Sequence, residues 1–296
     1  MRRIVAGTRG SELAQIQTDL VIAELTRVYP DLEVEKRVIK TKGDKILDVP
    51  LAKIGDKGLF TKELENALFS GEIDFAVHSL KDLPVELPQG LKTTACIKRE
   101  KPNDIVVLKH AKRLADLPDN AVIATGSLRR ALQLKKIKPQ IQIAEIRGNI
   151  NTRLEKLANA NWDGMVLAYC ALSRLGKENL ITELLPYEVM LPAVAQGIIA
   201  VESRDDSKSI ELFSRINDKE TESCGILERA FLFGLGGGCR VPMACNAYVE
   251  GSELHATGLY MPNDGEQYIL ETISGNMVDA YELGIQLAKQ ALSKVK

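Results

Sequence analysis

The chain has 296 residues, of which 45% are hydrophobic, and its 39 lysines and arginines nearly balance 40 aspartates and glutamates, for a net charge of −1. This balance lacks the global basic footprint of a nucleic-acid-binding protein, so any anionic partner must be met by local arginine clusters. No apolar run approaches the ~20 residues that a membrane span requires. The length exceeds one typical domain and predicts two or three compact units.

The cysteines are odd in number and lack a C-x-x-C pair; they are Cys96, Cys170, Cys224, Cys239 and Cys245. This argues against a disulfide framework and against a structural zinc site. The sequence passes from Met1-Arg2-Arg3 directly into strand-like residues 4–6, without the apolar stretch of a signal peptide. We therefore expect reduced thiols and a cytoplasmic protein.

Short apolar runs alternate with amphipathic helical stretches, a pattern typical of parallel sheets covered by helices. In the first series we predict strands at 4–7, 34–39, 73–78 and 91–97, one helix from about Ser11 and another at 60–69. The lysine- and glycine-rich stretch 40–58 is either a flexible connector or a lid. Its length favours a lid.

A charged, proline-containing stretch at 98–103 is predicted to link this series to a second one. The second series has predicted strands at 105–108, 122–125, 141–146 and 165–168, and helices that begin near Ser127, Asn149 and Ala171. A further apolar run at 198–201 looks like a strand that could belong to either series.

From Glu220 the pattern changes to a smaller α+β unit. We predict a helix through Phe233, strands near 246–249, 253–260 and 267–273, and a final helix at about 278–295. The Pro-Asn-Asp-Gly sequence at 262–265 suits a hairpin turn between the last two strands.

Ligands of open α/β sheets bind beyond the carboxyl ends of the strands, and the residues there are strongly biased. Around one acidic residue, Asp82, these positions carry Arg9, Arg129, Arg130, Arg147 and Arg153. Taken singly, arginine pairs are often solvated surface, Asp82 could be a turn residue, and His78 could be a structural imidazole or a proton donor.

Cys239 lies in the segment Gly234-Leu235-Gly236-Gly237-Gly238-Cys239-Arg240-Val241-Pro242. The glycines allow positive φ and the close approach of a bulky group, and Arg240 favours the thiolate. A tethered or attacking thiol fits this pattern. A helix C-cap followed by an ordinary buried cysteine fits it equally well.

Several motifs, in this order, resemble those of the porphobilinogen deaminases, also called hydroxymethylbilane synthases. They are Val77-His78-Ser79-Leu80-Lys81-Asp82-Leu83-Pro84, Gly126-Ser127-Leu128-Arg129-Arg130, Arg147-Gly148-Asn149 with Thr152-Arg153-Leu154, Leu191-Pro192-Ala193-Val194-Ala195-Gln196-Gly197, and Gly237-Gly238-Cys239. The resemblance covers essentially the whole chain.

This resemblance implies a transferase of haem and tetrapyrrole biosynthesis that joins four porphobilinogen molecules head to tail, with release of ammonia. The linear tetrapyrrole hydroxymethylbilane is then released by hydrolysis. The product would grow on a dipyrromethane cofactor held by a thioether at the position of Cys239, and Asp82 matches the family's catalytic aspartate. The resemblance also suggests a monomer that could pass its product to uroporphyrinogen-III synthase, and no metal.

Motif matches imply that a larger set of residues binds the carboxylates of cofactor and substrate. These are Arg9, Ser11, Ser79, Lys81, Thr125, Ser127, Arg129, Arg130, Arg147 and Arg153. Further candidates, with less defined roles, are Lys53, Lys57, Phe60, Arg174, Gln196 and Arg204.

In the family fold, two α/β domains resemble type II periplasmic binding proteins and a smaller α+β domain follows. The resemblance places domain 1 at 1–97 and 197–214, domain 2 at 102–191 and domain 3 at 219–296, with the strand after Gln196 returning to domain 1. Three residues depart from the family's frequent choices: Glu12 replaces proline, Gly126 replaces serine, and Ala195 replaces glycine.

Two other classes of protein remain as alternatives. A non-catalytic anion-binding protein of the periplasmic type would share the α/β halves and the arginines. A thiol acyltransferase would use Cys239 with a histidine base, but nothing in the sequence ties His78, His110 or His255 to that cysteine.

Overall fold

The computed structural model describes residues 2–41, 61–237 and 242–295. The chain divides into a first unit, Met1–Glu100 with Ile198–Gly225, and a second unit, Lys101–Gly197 with Ile226–Lys296. Three sheets lie within these units. The predicted class of two α/β parts and a smaller carboxyl-terminal α+β part is confirmed.

Strands and helices alternate along much of the described chain. The strands are β1 (Arg2–Thr8), β2 (Leu32–Val38), β3 (Phe75–Ser79), β4 (Leu91–Ile97), β5 (Asp104–Leu108), β6 (Val122–Ala124), β7 (Gln142–Ala144), β8 (Gly164–Ala168), β9 (Glu183–Leu184), β10 (Ile199–Arg204), β11 (Met243–Glu250), β12 (Glu253–Tyr260) and β13 (Ile269–Asn276). The helices are α1 (Glu12–Val28), α2 (Lys62–Ser70), α3 (Leu128–Ile137), α4 (Ile150–Asn159), α5 (Tyr169–Arg174), α6 (Ser207–Ser214), α7 (Lys219–Gly234), α8 (Pro262–Gly265) and α9 (Ala280–Ser293).

The sheet of the first unit has the order β2-β1-β3-β10-β4. β1 is parallel to β2 and β3, whereas β10 is antiparallel to both β3 and β4. The alternating pattern predicted parallel sheets, and β10 departs from it. β10 enters the sheet from the chain of the second unit and not through a helical crossover, so its direction is not held parallel. The strand predicted at 198–201 therefore belongs to the first unit, as the resemblance implied.

The α/β sheet of the second unit has the order β7-β6-β8-β5-β9. β6 is parallel to β7 and β8, and β5 is antiparallel to β8 and β9. The two-residue strand β9 has no counterpart in the sequence prediction, because a run so short carries no periodicity. No described helix combines the length and hydropathy needed to cross a membrane.

The third sheet, also in the second unit, is an antiparallel meander of β11, β12 and β13. One face is buried by helices: a Cβ at Gly258 would lie 2.8 Å from the ring of Phe231 and 3.0 Å from Leu287. The predicted hairpin between β12 and β13 is present. Its connection contains the one-turn helix α8 instead of a β-turn, because Pro262 suits the first position of a helix and Gly265, at φ +93°, ends it.

Candidate functional site

The first unit gathers its predicted site residues at one sheet edge. β1 and β3 are parallel neighbours, with Gly7 opposite Ala76, so the residues that follow them emerge at the same edge. A pocket there is lined by Arg9, Ser11, Leu13, Ala14, Gln17, Thr61, Val77, His78, Ser79 and Asp82. The predicted grouping of the arginine and serines with Asp82 is thus present in the structure.

Two serines of the pocket have defined partners. Ser11 is the N-cap of α1 and accepts a hydrogen bond from the backbone N–H of Ala14 at 3.3 Å. Glu12 is consequently the first residue of the helix, a position that suits either proline or an acidic residue, which explains that departure from the family. The hydroxyl of Ser79 accepts a hydrogen bond from Nε2 of Gln17 at 2.8 Å.

Asp82 ends a 3₁₀ turn, Leu80–Asp82, that directly follows β3. The backbone N–H of Leu80 donates to the carbonyl of Ile198 at 3.0 Å, which holds the start of the turn against the chain that leads into β10. The Asp82 side chain is exposed, and no hydrogen bond or ion pair links it to any described residue. Lys81 is exposed beside it. The carboxylate can therefore reach a ligand in the pocket.

In the second unit, the loops that follow β6 and β7 are in contact. Thr125 donates its backbone N–H to the carbonyl of Ala144 at 2.9 Å, and its hydroxyl accepts from the N–H of Ser127 at 3.2 Å. A Cβ at Gly126 would lie 2.7 Å from the carbonyl oxygen of Ile146. This close approach explains glycine at 126 in this chain, and it brings the arginines of the two loops to one edge.

Arg129 and Arg130 are buried, and both pair with Asp104 at the start of β5. Each guanidinium lies 2.7 Å from a different carboxylate oxygen. Burial alone would raise the pKa of Asp104, but the two guanidinium groups outweigh it and hold the pKa well below its usual range. Burial lowers the pKa of Arg129, and Asp104 opposes that shift. Much of the charge of this arginine pair is thus neutralised inside the protein.

The segment 191–197 is held by the same buried cluster. Gln196 donates from Nε2 to the carbonyl of Pro102 at 2.7 Å and to Oδ1 of Asp104 at 2.8 Å. Arg129 donates to the carbonyl of Leu191 at 2.7 Å, and Arg174 donates to that of Gly197 at 2.6 Å. In this structure Gln196 and Arg174 therefore make backbone-supporting contacts.

Arg147 and Arg153 are less buried than the Asp104 cluster. Arg147, whose side chain is 25% exposed, donates from Nε to Glu145 at 3.3 Å. Arg153 donates from Nε to the carbonyl of Gly148 at 2.8 Å, and Gly148 adopts φ +110°. Asn149 caps α4 by accepting from the N–H of Thr152. This loop can present guanidinium groups to an anion.

Several sequence-predicted positions lie outside the described residues: Lys53, Lys57, Phe60, the 43–58 loop and Cys239. Before Cys239, the helix α7 ends in glycines with positive φ, +90° at Gly236 and +44° at Gly237. The N–H groups of these glycines bond to Phe233 and Leu232. The predicted helix C-cap is therefore present. Arg204, at the end of β10, donates to the backbone of Leu68 and Ile73 and pairs with Asp74, and it does not line the Asp82 pocket.

Sequence reasoning missed two residues of these clusters. Gln17 sits among the apolar positions Ala14, Val21 and Leu25 on the buried face of α1, and a polar residue at a core position is a usable signal. Asp104 is the first residue of an otherwise apolar strand, and a polar residue at such a position is likewise a usable signal. Its pairing with arginines from another element could not be read from the sequence.

Each unit thus has an α/β sheet with arginines at its strand ends, and the first unit also has an exposed carboxylate there, features that are typical of α/β proteins that bind anionic ligands. A family model described as porphobilinogen deaminase, dipyrromethane cofactor binding domain, matches residues 4–212, and one for the porphobilinogen deaminase C-terminal domain matches 222–293.

Known proteins agree with these family models. The porphobilinogen deaminase of Syntrophomonas wolfei is 48% identical over 295 residues, covering 99% of this chain and 96% of that protein. That of Clostridioides difficile is 45% identical, covering 98% and 97%. Among solved structures, the chain is similar to the methionine-binding protein MetQ at 15% identity and a TM-score of 0.47, covering 84% of this chain and 99% of that one.

The chain belongs to the porphobilinogen deaminase family. It is a transferase of tetrapyrrole biosynthesis, the enzyme also called hydroxymethylbilane synthase, with the family's dipyrromethane cofactor domain. In this family the cofactor is attached covalently to a cysteine. The family, enzyme and cofactor predicted from the motifs are confirmed, and a non-catalytic anion-binding protein is not favoured.

Proposed function

We propose that Asp82 is the catalytic carboxylate with which this chain joins porphobilinogen units. The observation that carries this assignment is the pocket in which Asp82 lies with Arg9, Ser11 and Ser79. An exposed carboxylate that pairs with no residue in the described ranges is available to a substrate, whereas a buried, paired one is not. Its place in the Val77–Pro84 motif supports the same role.

The chemistry requires a group that can hold positive charge and move a proton. Loss of ammonia from the aminomethyl group of porphobilinogen leaves an azafulvenium cation, which a nearby carboxylate stabilises. Formation of the new carbon–carbon bond releases the pyrrole α-hydrogen as a proton. Asp82 can accept that proton and pass it to solvent because its side chain is exposed.

We assign the binding of acetate and propionate groups to the arginines at the strand ends. Guanidinium groups bind carboxylates in a bidentate fashion that lysine does not reproduce. In the second unit, Ser127 stands at the N-terminus of α3 without using its hydroxyl as a cap, and an N-terminus of this kind suits an anion. Arg147 and Arg153 are partly exposed near the N-terminus of α4, and we assign carboxylate binding in this unit to them.

These donors fit the dipyrromethane cofactor, whose rings carry carboxylates. We propose Cys239 as its attachment site, on the strength of the Gly237-Gly238-Cys239 motif and of the glycine-terminated helix α7 that leads to it. When bound, the cofactor supplies the primer on which the product is built. A thioether suits a primer because it resists the hydrolysis that releases the product.

Other parts of the prediction also stand as proposals. We propose the three domains 1–97 with 197–214, 102–191 and 219–296, a gating role for the 43–58 loop, and a monomer that passes its product to uroporphyrinogen-III synthase. Among the described residues, the cysteines Cys96, Cys170, Cys224 and Cys245 are buried and form no disulfide, which fits the reducing cytoplasm that we propose as the protein's location.

The intact mass of the purified protein tests the cofactor assignment. We expect a mass above that of the chain by two pyrrole units, and we expect the excess to disappear in Cys239→Ser. The matched control is Cys170→Ser, in which a buried free thiol of α5 is changed and the excess should remain. An active wild-type protein with the mass of the bare chain would overturn the assignment.

A further inference from the structure

A buried histidine–carboxylate pair lies beneath the Asp82 pocket. Nε2 of His78, on β3, is 3.0 Å from Oε2 of Glu202, on β10, and their side chains are only 4% and 0% exposed. Among the described residues, neither the oxygens of Glu202 nor Nε2 of His78 have a partner of hydrogen-bond geometry, so their 3.0 Å approach is a close polar contact and not an aligned hydrogen bond. A carboxylate removed from water needs a compensating partner. The imidazole of His78 is therefore its compensation.

This pair connects directly to the residues of the pocket. His78 itself lines the pocket with Ser79 and Asp82. Across the antiparallel ladder, His78 is opposite Ala200, so Glu202 occupies the diagonal position, where side chains on the same face meet. A shift of the His78 ring would thus displace the strand end from which Ser79 and the Asp82 turn extend.

A second carboxylate, Glu65 on α2, sits in the same buried region. Its residue is 8% exposed. Burial raises the pKa of Glu65, and the charge of Glu202 raises it further, while Thr61 and His78 oppose the shift. Two adjacent buried carboxylates rarely both carry charge. Burial therefore favours the protonated form of Glu65, and Glu202 is the carboxyl group that lies 3.0 Å from His78.

We propose that His78 is a positioning residue of the Asp82 site, fixed in place by the carboxylate of Glu202. The role rests on the proposed catalytic function of Asp82. The charge of Glu202 keeps the imidazole in one orientation at the floor of the pocket, and the packed ring keeps the Ser79–Asp82 turn in register with the substrate. Partners of this kind orient a functional group without touching substrate.

The test compares the same substitution at the two buried carboxylates. Glu202→Gln keeps the shape but removes the anion, and we expect kcat to fall about 10-fold with KM nearly unchanged, as for other orienting partners. Glu65→Gln makes the same change at the carboxyl group whose pKa is raised by burial, and we expect kcat and KM to stay at wild-type values. Equal kcat values in the two variants and the wild type would overturn the proposal, as would equal losses in both.

A double-mutant cycle identifies the path of the effect. If His78 acts through Glu202, adding His78→Gln to Glu202→Gln should lower kcat by much less than His78→Gln alone does. Multiplicative losses would contradict the pairing. Asp82→Asn separates the two proposals: an active Asp82→Asn enzyme overturns the catalytic assignment, whereas an inactive one beside a fully active Glu202→Gln enzyme overturns only the positioning role.

Nuclear magnetic resonance of the wild-type protein gives a readout that does not depend on the folding of any variant. The chain has three histidines, and His78 is the buried one among the described residues, since His110 is exposed and His255 is partly exposed. We expect one ring N–H proton that exchanges slowly with water and that belongs to Nε2 of His78. Absence of a protected ring N–H would refute the pair. In Glu65→Gln the signal should persist, and in Glu202→Gln it should shift.

Discussion

Asp82 and Asp104 are both aspartates at strand ends near arginines, yet their surroundings are opposite. Asp82 is exposed on the turn after β3, and its carboxylate contacts no described residue through a hydrogen bond or ion pair. Asp104 is fully buried at the start of β5, where Arg129, Arg130 and Gln196 all donate to or pair with it. The carboxylate of Asp82 is thus available to a ligand, whereas that of Asp104 is already bound by side chains of the protein.

This difference separates the arginines as well. Arg129 and Arg130 share the charge of Asp104, so the cluster of three carries one net positive charge, held mostly inside the second unit. Arg147 and Arg153 are more exposed. Arg147 donates a hydrogen bond to Glu145, and Arg153 donates one to the backbone carbonyl of Gly148. We therefore expect changes at Asp82 to affect catalysis and changes at Asp104 to affect folding.

The largest expected effect on rate follows from Asp82→Asn. Asparagine has nearly the same shape but can neither stabilise the cation nor accept a proton, and we expect kcat to fall about 10²–10⁴-fold, the usual worth of such a group. The denaturation midpoint should remain that of the wild type, because the replaced carboxylate is exposed and makes no hydrogen bond or ion pair with the described part of the chain. Measurement of hydroxymethylbilane formation and of thermal unfolding checks both halves.

Near-normal turnover by Asp82→Asn would refute its catalytic role. A large loss of thermal stability would instead show that Asp82 resembles Asp104 more than the structure indicates, and would weaken the comparison between the two regions.

The matched substitution, Asp104→Asn, should do the reverse. It leaves Arg129 and Arg130 buried without a counter-charge, and breaking a buried pair in this way typically costs about 3–5 kcal/mol of stability. We expect a lower unfolding midpoint of the second unit, measured by chemical denaturation at neutral pH. An unchanged midpoint would mean that water or rearrangement replaces the lost anion.

The pH dependence of stability sharpens this prediction. The pKa of Asp104 is depressed in the folded protein from an ordinary value of 3.8, so its contribution is complete above that value and is lost progressively as the pH falls below it. The difference in the free energy of unfolding between the wild type and Asp104→Asn should therefore shrink as the pH falls below about 4. A constant difference down to the acid transition would contradict the assigned charge.

The fold class predicted from the sequence is confirmed, because the hydrophobic period, the glycines and the N-caps that predict it are local properties of the chain. Ser11 and Asn149 cap helices as local patterns indicate. The antiparallel direction of β10 was missed, because it depends on the chain's return from the second unit. The pairing of Asp104 with Arg129 was missed for a similar reason, since two distant segments must fold before the contact exists.

The smallest expected effect concerns Ala195, which departs from the family's frequent glycine. Ala195 is the one non-glycine residue with positive φ in the described ranges, at +59°, and a side chain there costs about 1–2 kcal/mol. Ala195→Gly relieves that strain, but the lost buried methyl group (about 0.8 kcal/mol) and the added freedom of the unfolded chain (about 0.4–1 kcal/mol) offset the gain, so we expect almost no net change in the free energy of unfolding.

Ala244→Gly is the matched control for Ala195→Gly, because Ala244 is fully buried in β11 of the same unit, where φ is not positive. Glycine in a strand loses about 0.5–1 kcal/mol from backbone freedom, and the lost methyl adds to it. Ala244→Gly should therefore lower the unfolding midpoint, whereas Ala195→Gly should leave it close to that of the wild type. Equal destabilisation would mean that the backbone around Ala195 relaxes and that the hydrogen bond from its N–H to Glu228 does not hold it in the left-handed region.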